Sequence, residues 1–423
     1  MKLLLPLLTI LLFISLHAQE EYTGQTIQEI LELPEEQINI GIATLVLAKE
    51  FYPDMDVNFF LYSFDYLADR FSNFFGQYSD SESRIRALNT YLYQKGTWND
   101  GITFGYDDDD LQVTKRDNKF INGYIATKKG SCITMPMLYL ILGERLNFPI
   151  YPVRSAKHFF VRYISKAPTL NFEDNIEATN GGSYISDEQY QQDVLIPEKA
   201  IQNGVYLRTL SKKEYLATLL STNAGEYFKE GNWVKAKEYL QLALKYDPTF
   251  SGAYWNYGIL HLEEARKLEA LMDADKQAEV TYYQTRSKKM ANSNPHPLPN
   301  NNFYNTTPNL NIIWSDLPIP NMADPSKEFS KYSSFPNPSV NQKQPTSSRS
   351  SKQPFIHPKY QTGLQISLID IERKYIPLIN AKIEVFKNYT NMAEELGIVK
   401  KFPVEFFIKQ AESLKQFKEK GGY

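Results

Sequence analysis

The stretch KKGSCITMPMLYLILGERLNFPIYPVRSAKHFFVRY, Lys128 to Tyr163, followed by NIEATNGG, Asn175 to Gly182, decides how this chain folds. Gly130 and Ser131 break the chain just before Cys132, and the run to Leu146 then carries the apolar face of a buried helix. NFPIYPVRS and HFFVRY are rich in β-branched and aromatic residues. In HFFVRY, Phe159, Val161 and Tyr163 face one way and Phe160 and Arg162 the other, as alternation along a strand requires. One helix feeding a set of short strands gives an α+β core, expected over residues 121–215.

The chain begins MKLLLPLLTILLFISLHAQE, with Lys2 ahead of an apolar stretch and Ala18 and Gln19 where a signal peptidase would cut. An apolar run of about 14 residues is short of the ~20 that a spanning helix needs. No Cys follows it, so it is not a lipoprotein signal. Residues 1–19 are therefore expected to be a cleaved export signal, leaving a periplasmic or secreted protein that does not span a membrane. That compartment makes the single cysteine informative, because exported proteins tend to use Cys in disulfide pairs and one Cys forms none within the chain. Such a residue is either buried and inert or kept for its thiol.

A cysteine nucleophile needs its thiolate, and two devices favour it: a helix N-terminus beside the sulfur and an imidazole within hydrogen-bond reach. Cys132 lies at a helix start, whose free N–H groups also suit a substrate oxyanion. Of the five histidines, His17 lies in the signal, His296 and His357 in a linker and His261 on a helical repeat. Only His158 shares the compact core with Cys132. A third group should hold the imidazole by its other nitrogen. Asn175 and Glu177 share one face of the next strand, and Glu177 is the favoured residue, with Asn175 second. Each residue alone fits a purely structural role; the order Cys at a helix start, His on a strand, acid on the next strand is what points to catalysis.

Around this core, residues 20–120 read as an N-terminal helical region, with apolar residues at three- and four-residue steps in IQEILELPEEQINIGIATLVLAKEFYP and VNFFLYSFDYLADRFSNFF. The run Asp107 to Asp110 is a solvated acidic loop, since it lacks the alternate ligand spacing of a calcium loop. Residues 216–290 contain a tetratricopeptide-like pattern: Ala224, Tyr227, Ala236, Leu240 and Ala243 precede Pro248. Tyr254, Tyr257 and Gly258 begin a second copy that fades beyond Leu268. Residues 291–360, rich in Asn, Pro and Ser, read as a disordered linker, and 361–423 as C-terminal helices. The net charge of -3 gives no general reason to expect nucleic acid. One Cys and one well-placed His do not make a zinc site, and no phosphate-cradling loop is seen, so neither metal nor cofactor is expected.

The quoted core, together with IATLVLAKEFYPDMDVNFFLYSFDYLADRF upstream, resembles the transglutaminase-like superfamily, which shares the papain-type cysteine-protease fold. It is most similar to bacterial members with an N-terminal helical region and trailing tetratricopeptide repeats, over roughly residues 35 to 260. The resemblance implies a Cys–His–Asp triad. Cys132 matches the nucleophile, His158 the histidine, and Glu177, one methylene longer, falls where the Asp would be. It implies attack on an amide carbonyl of a peptide or protein through a thioester, with hydrolysis slightly preferred over transamidation. Some relatives have lost the Cys, so the alternative is an inactive scaffold that binds a protein partner through its repeat helices. Pro136 is a departure, since it cannot donate to the carbonyl of residue 132.

Overall fold

The structure, a computed structural model, describes residues 21–164, 175–293 and 356–400. The expected export signal, nearly all of the expected linker and the segment PVEFFIKQAESLKQF lie outside those residues. The described residues form two compact units: one runs to Leu260 and resumes at Lys387, and the other spans His261–Phe386.

In the first unit, helices α1 (Ile27–Glu32), α2 (Ile40–Lys49), α3 (Val57–Phe75) and α4 (Ser81–Tyr93) each begin at a side-chain cap, supplied by Thr26, Asn39, Asp56 and Asp80. The α2 sequence IGIATLVLAK has no charge before its last residue. It accordingly sits inside the unit, in contact with α3 and with three later helices, α5 (Ile121–Thr127), α6 (Thr134–Leu146) and α9 (Lys212–Lys229). The N-terminal helices therefore wrap the core helix α6 directly.

Two small sheets flank α6. In one, β1 (Gly105–Tyr106) and β2 (Lys129–Gly130) run parallel, with Tyr106 opposite Gly130. The other is antiparallel in the order β3 (Ile150–Ser155), β4 (His158–Tyr163), β5 (Asn175–Ile176). Ala156 and Lys157 turn β3 into β4, and Lys157 takes the left-handed conformation the tight turn needs (φ 55°). His158 is thereby fixed at the closed end of the hairpin, paired with Ser155.

After the sheet come α7 (Asp187–Asp193), α8 (Glu198–Gln202), α9 and α10 (Trp233–Tyr246). Helices α9 and α10 pack along each other as a hairpin, with Ala224 and Tyr227 facing in from one and Ala236, Leu240 and Ala243 from the other. A buried ion pair ties this hairpin to the sheet. Arg154 of β3 bonds Asp247 at 2.7 Å, donates to the Val205 carbonyl and lies over the Phe250 ring. No second hairpin follows, because α11 (Ser251–Ser293) continues unbroken. The reason is local: between Gly258 and Pro295 the sequence has neither Gly nor Pro and is rich in Ala, Glu, Lys and Leu, so nothing ends the helix.

The second unit pairs the later part of α11 with α12 (Pro358–Leu396). Ala265, Tyr375 and Ile379 form its core with Leu268, Met272 and Ile371. Bonds from Lys276 to Glu372 and from Lys382 to Glu264 run in opposite sequence directions, as an antiparallel pair demands. No described helix is long and apolar enough to cross a membrane.

Candidate active site

Cys132 lies in the turn between β2 and α6. Gly130 is required there: a Cβ at that position would stand 2.6 Å from the Tyr124 ring and 2.7 Å from Thr134 Oγ1. Ser131 organises the turn. Its Oγ donates to the Asn118 carbonyl at 2.6 Å and accepts from the Ile133 N–H, its N–H donates to Thr134 Oγ1, and its carbonyl accepts from the Met135 N–H. The helix thus starts at Thr134, and Pro136 falls in the first turn, where a missing N–H removes no intrahelical bond. Pro136 therefore leaves the turn that presents the sulfur intact.

His158 and Glu177 meet on one face of the β3–β4–β5 sheet. His158 Nε2 lies 2.6 Å from Glu177 Oε2, and both side chains are completely buried. Cys132 lies near enough to the ring to act on its charge. With Nε2 committed to the carboxylate, Nδ1 is the ring nitrogen left for the sulfur. The fold thus bonds His158 to Glu177 and brings Cys132, from a third element, into their neighbourhood. Asn175 does not join them: it accepts from Arg162 Nε at 2.7 Å and donates to Asp187 and to the Ile185 carbonyl.

The extra methylene of Glu177, relative to an Asp, is absorbed by the local chain. Glu177 follows β5 and caps a short 3-10 turn at Ala178–Asn180. Its Oε1 accepts from the Thr179 N–H (2.9 Å) and the Thr179 hydroxyl (2.6 Å), and its Oε2 accepts from Tyr190 as well as facing His158. Every neighbour of the carboxylate is a donor. Tyr190, from α7, is held in turn by stacking on Phe160, with ring centroids 4.2 Å apart and planes 8° from parallel. Neither Tyr190 nor Thr179 was singled out by sequence. Thr179 had a legible signal, as a residue two places after a capping acid; Tyr190 had none, because its partner is 13 residues away on another element.

The electrostatics follow from these contacts. Burial pushes the His158 imidazole down, but the Glu177 charge and the contact with Cys132 outweigh it and raise its pKa to about 10. Burial likewise pushes Glu177 up, and the facing imidazole with the bonds from His158, Thr179 and Tyr190 brings it below its ordinary value. Burial, then the Glu177 charge, drive Tyr190 well up, so it remains a donor. A protonated imidazole beside an ionised carboxylate is the stable state near neutral pH. Cys132 is only 5% exposed and belongs to an apolar cluster with Val153, Phe160 and Val194.

The acidic run is bound internally. Asp107 accepts from Lys115 and Asn118, and Asp110 accepts from Thr114, Lys115 N–H and Asn118. These bonds staple residues 107–118 into a loop beside Ser131. Among the described residues, no three His, Cys, Asp or Glu side chains converge as a metal centre needs.

Comparison with known proteins agrees with this architecture. The family model described as the transglutaminase-like superfamily matches residues 60–221, so a transglutaminase-like domain occupies that stretch. The match takes in α3 and α4 as well as Cys132, His158 and Glu177. A UPF0162 protein of Xylella fastidiosa strain 9a5c is 21% identical over 252 residues, which are 56% of this chain and 83% of that protein. A UPF0162 protein of Xylella fastidiosa strain Temecula1 is 22% identical over 251 residues, with the same coverage. No solved structure matches at comparable significance.

Proposed function

We propose that this protein is an exported cysteine enzyme that cleaves or transfers amide bonds of a peptide or protein. Cys132 is the nucleophile, His158 the proton carrier and Glu177 the group that orients and charges the imidazole. The observation that carries this is the buried Glu177–His158 pair, its carboxylate met by donors on both oxygens, near the only thiol of the chain. Burying an ion pair is costly unless every partner is satisfied. A domain with no use for an imidazolium beside its cysteine would be served as well by apolar side chains.

The steps balance as follows. With the proton held on His158 Nδ1, the sulfur forms a bond to the amide carbon, whose π pair moves to oxygen. The pair returns, the C–N bond breaks, and His158 gives its proton to the leaving amine, which leaves a thioester on Cys132. Water gives a proton to His158 and attacks the thioester. The C–S bond then breaks, releasing the acid and leaving the thiolate beside the protonated ring. An amine in place of water gives transamidation. Hydrolysis is slightly preferred, because water needs no second binding site.

Hydroxylamine tests this directly. Incubated with the protein and a glutamine-rich protein such as casein, it should divert the thioester to a hydroxamate detectable by its ferric complex. Cys132→Ala and His158→Ala should abolish the product. Equal hydroxamate with wild type and Cys132→Ala would reject the nucleophile.

One observation favours a second reading. Cys132 is nearly covered and packed among apolar side chains, as in a domain kept for its shape. The protein would then be an inactive scaffold, with the α9–α10 hairpin acting as a tetratricopeptide-like surface for a protein partner. Full chain lacking hydroxamate activity, yet retaining in Cys132→Ala every interaction of the wild type, would support that scaffold.

A further inference from the structure

We propose that the Tyr106 hydroxyl is a further catalytic group of this site, the donor that receives the carbonyl oxygen of a substrate attacked by Cys132. The assignment rests on the cysteine-enzyme reading above and adds the group that bears the charge developed in its first step.

Three features of the chain converge on Tyr106. The parallel β1–β2 pairing sets it opposite Gly130, two residues before the cysteine, and the Asp107 N–H bond to the Gly130 carbonyl at 2.8 Å locks that register. Its side chain is 93% buried, and its hydroxyl has no hydrogen-bond partner among the described residues. A buried hydroxyl left unpaired costs about 1–3 kcal/mol, and such groups persist where a ligand completes them. After burial, the strongest influence on the phenol is the charge of Cys132, followed by Asp110 and Glu177, and all of them push its pKa well up. The O–H bond therefore stays intact while negative charge passes from the sulfur to the substrate oxygen. Tyr215 also has an unpaired buried hydroxyl, but only burial acts on it.

When the sulfur attacks a carbonyl, the S–C bond forms and the carbon–oxygen π pair moves to oxygen. A phenol donor already stripped of water and with no competing acceptor stabilises that oxygen without reorganising. His158, bonded to Glu177, is occupied with the proton.

Tyr106→Phe in the full chain removes the oxygen alone. The probe is p-nitrophenyl acetate: the sulfur adds to its carbonyl, the oxyanion collapses, the ester C–O bond breaks and p-nitrophenolate leaves, with the acetyl group on Cys132. The variant should acylate about 10²–10³-fold more slowly than wild type, the usual loss for one oxyanion donor. Its alkylation by iodoacetamide, which displaces iodide at a saturated carbon and forms no oxyanion, should be unchanged. Its unfolding midpoint should equal or exceed that of wild type, because an unpaired buried hydroxyl has been removed. Unchanged acylation overturns the assignment and leaves the Cys132–His158 reading standing. Equal slowing of acylation and alkylation also overturns it, placing the effect on the sulfur. Absence of acylation in the wild type beyond that of Cys132→Ala removes the underlying reading and this assignment with it.

Discussion

Replacing Glu177 by Gln keeps the shape of the side chain and removes its charge, at a position where all the surrounding groups donate. In the wild type, Oε1 takes two bonds from Thr179, and Oε2 faces Nε2 of His158 and takes the Tyr190 hydroxyl. Whichever oxygen becomes an NH₂, two former donors meet a donor. The least costly arrangement points the NH₂ at His158 and Tyr190: the ring gives up its Nε2 proton and keeps one on Nδ1, and the phenol turns to accept. Loss of the counter-charge in a buried pair costs about 3–5 kcal/mol, and this rearrangement recovers part of it. The change of tautomer matters more for chemistry. A neutral ring with its proton on Nδ1 cannot take the thiol proton, and in triad enzymes the equivalent change lowers turnover about 10⁴-fold. Burial, no longer opposed by Glu177, should also drop the His158 pKa from about 10 to below its ordinary 6.5. Urea unfolding gives the stability change, and the NMR titration of the single core histidine gives the pKa. A variant within ~1 kcal/mol of wild type that keeps a raised His158 pKa would refute the reasoning.

Other consequences follow from the same contacts. The raised His158 pKa stabilises the fold below pH 6.5, and that contribution is lost as pH rises toward about 10; Glu177, lowered, adds stability that is lost as pH falls below its unfolded value of 4.5. Thermal stability should thus fall between about pH 6.5 and about pH 10 in wild type and hold steadier in His158→Gln. Arg154→Ala leaves wholly buried Asp247 only the longer pair with Arg208 at 3.8 Å and the Thr249 bonds on its other oxygen, and should cost about 3 kcal/mol by chemical denaturation. Gly130→Ala drives a Cβ against Tyr124 and Thr134 and should impair folding or cysteine reactivity, read by circular dichroism and alkylation, while Pro136→Ala changes stability by less than ~1 kcal/mol.

The core was legible because its signals are local. Alternation in HFFVRY marks β4, and the apolar run after Cys132 marks α6. His158 and Glu177 stood out through order along the chain. What escaped is carried by contacts between distant segments. β1 is two residues long inside an acidic, Gly-containing loop and has no alternation to display; its existence depends on β2 alongside. Tyr106 went unremarked for the same reason, since its meaning comes from that pairing. The start of α6 at Thr134, with Pro136 in its first turn, depends on Ser131 bonding the Asn118 carbonyl, 13 residues upstream. The repeat pattern that fades after Leu268 marked the end of a surface periodicity, while the helix itself runs on to Ser293, close to the expected bound at 290, on residues that favour helix in any setting.

The single cysteine makes one measurement decisive, because all alkylation reports on Cys132. Purified protein and its His158→Ala variant would be labelled with iodoacetamide from about pH 5 to about pH 9 and followed by intact mass. The account predicts rapid labelling of the wild type below about pH 7, where a free thiol is almost wholly protonated, and marked slowing in the variant. Slow labelling that follows an ordinary thiol titration, the same in both proteins, would contradict it.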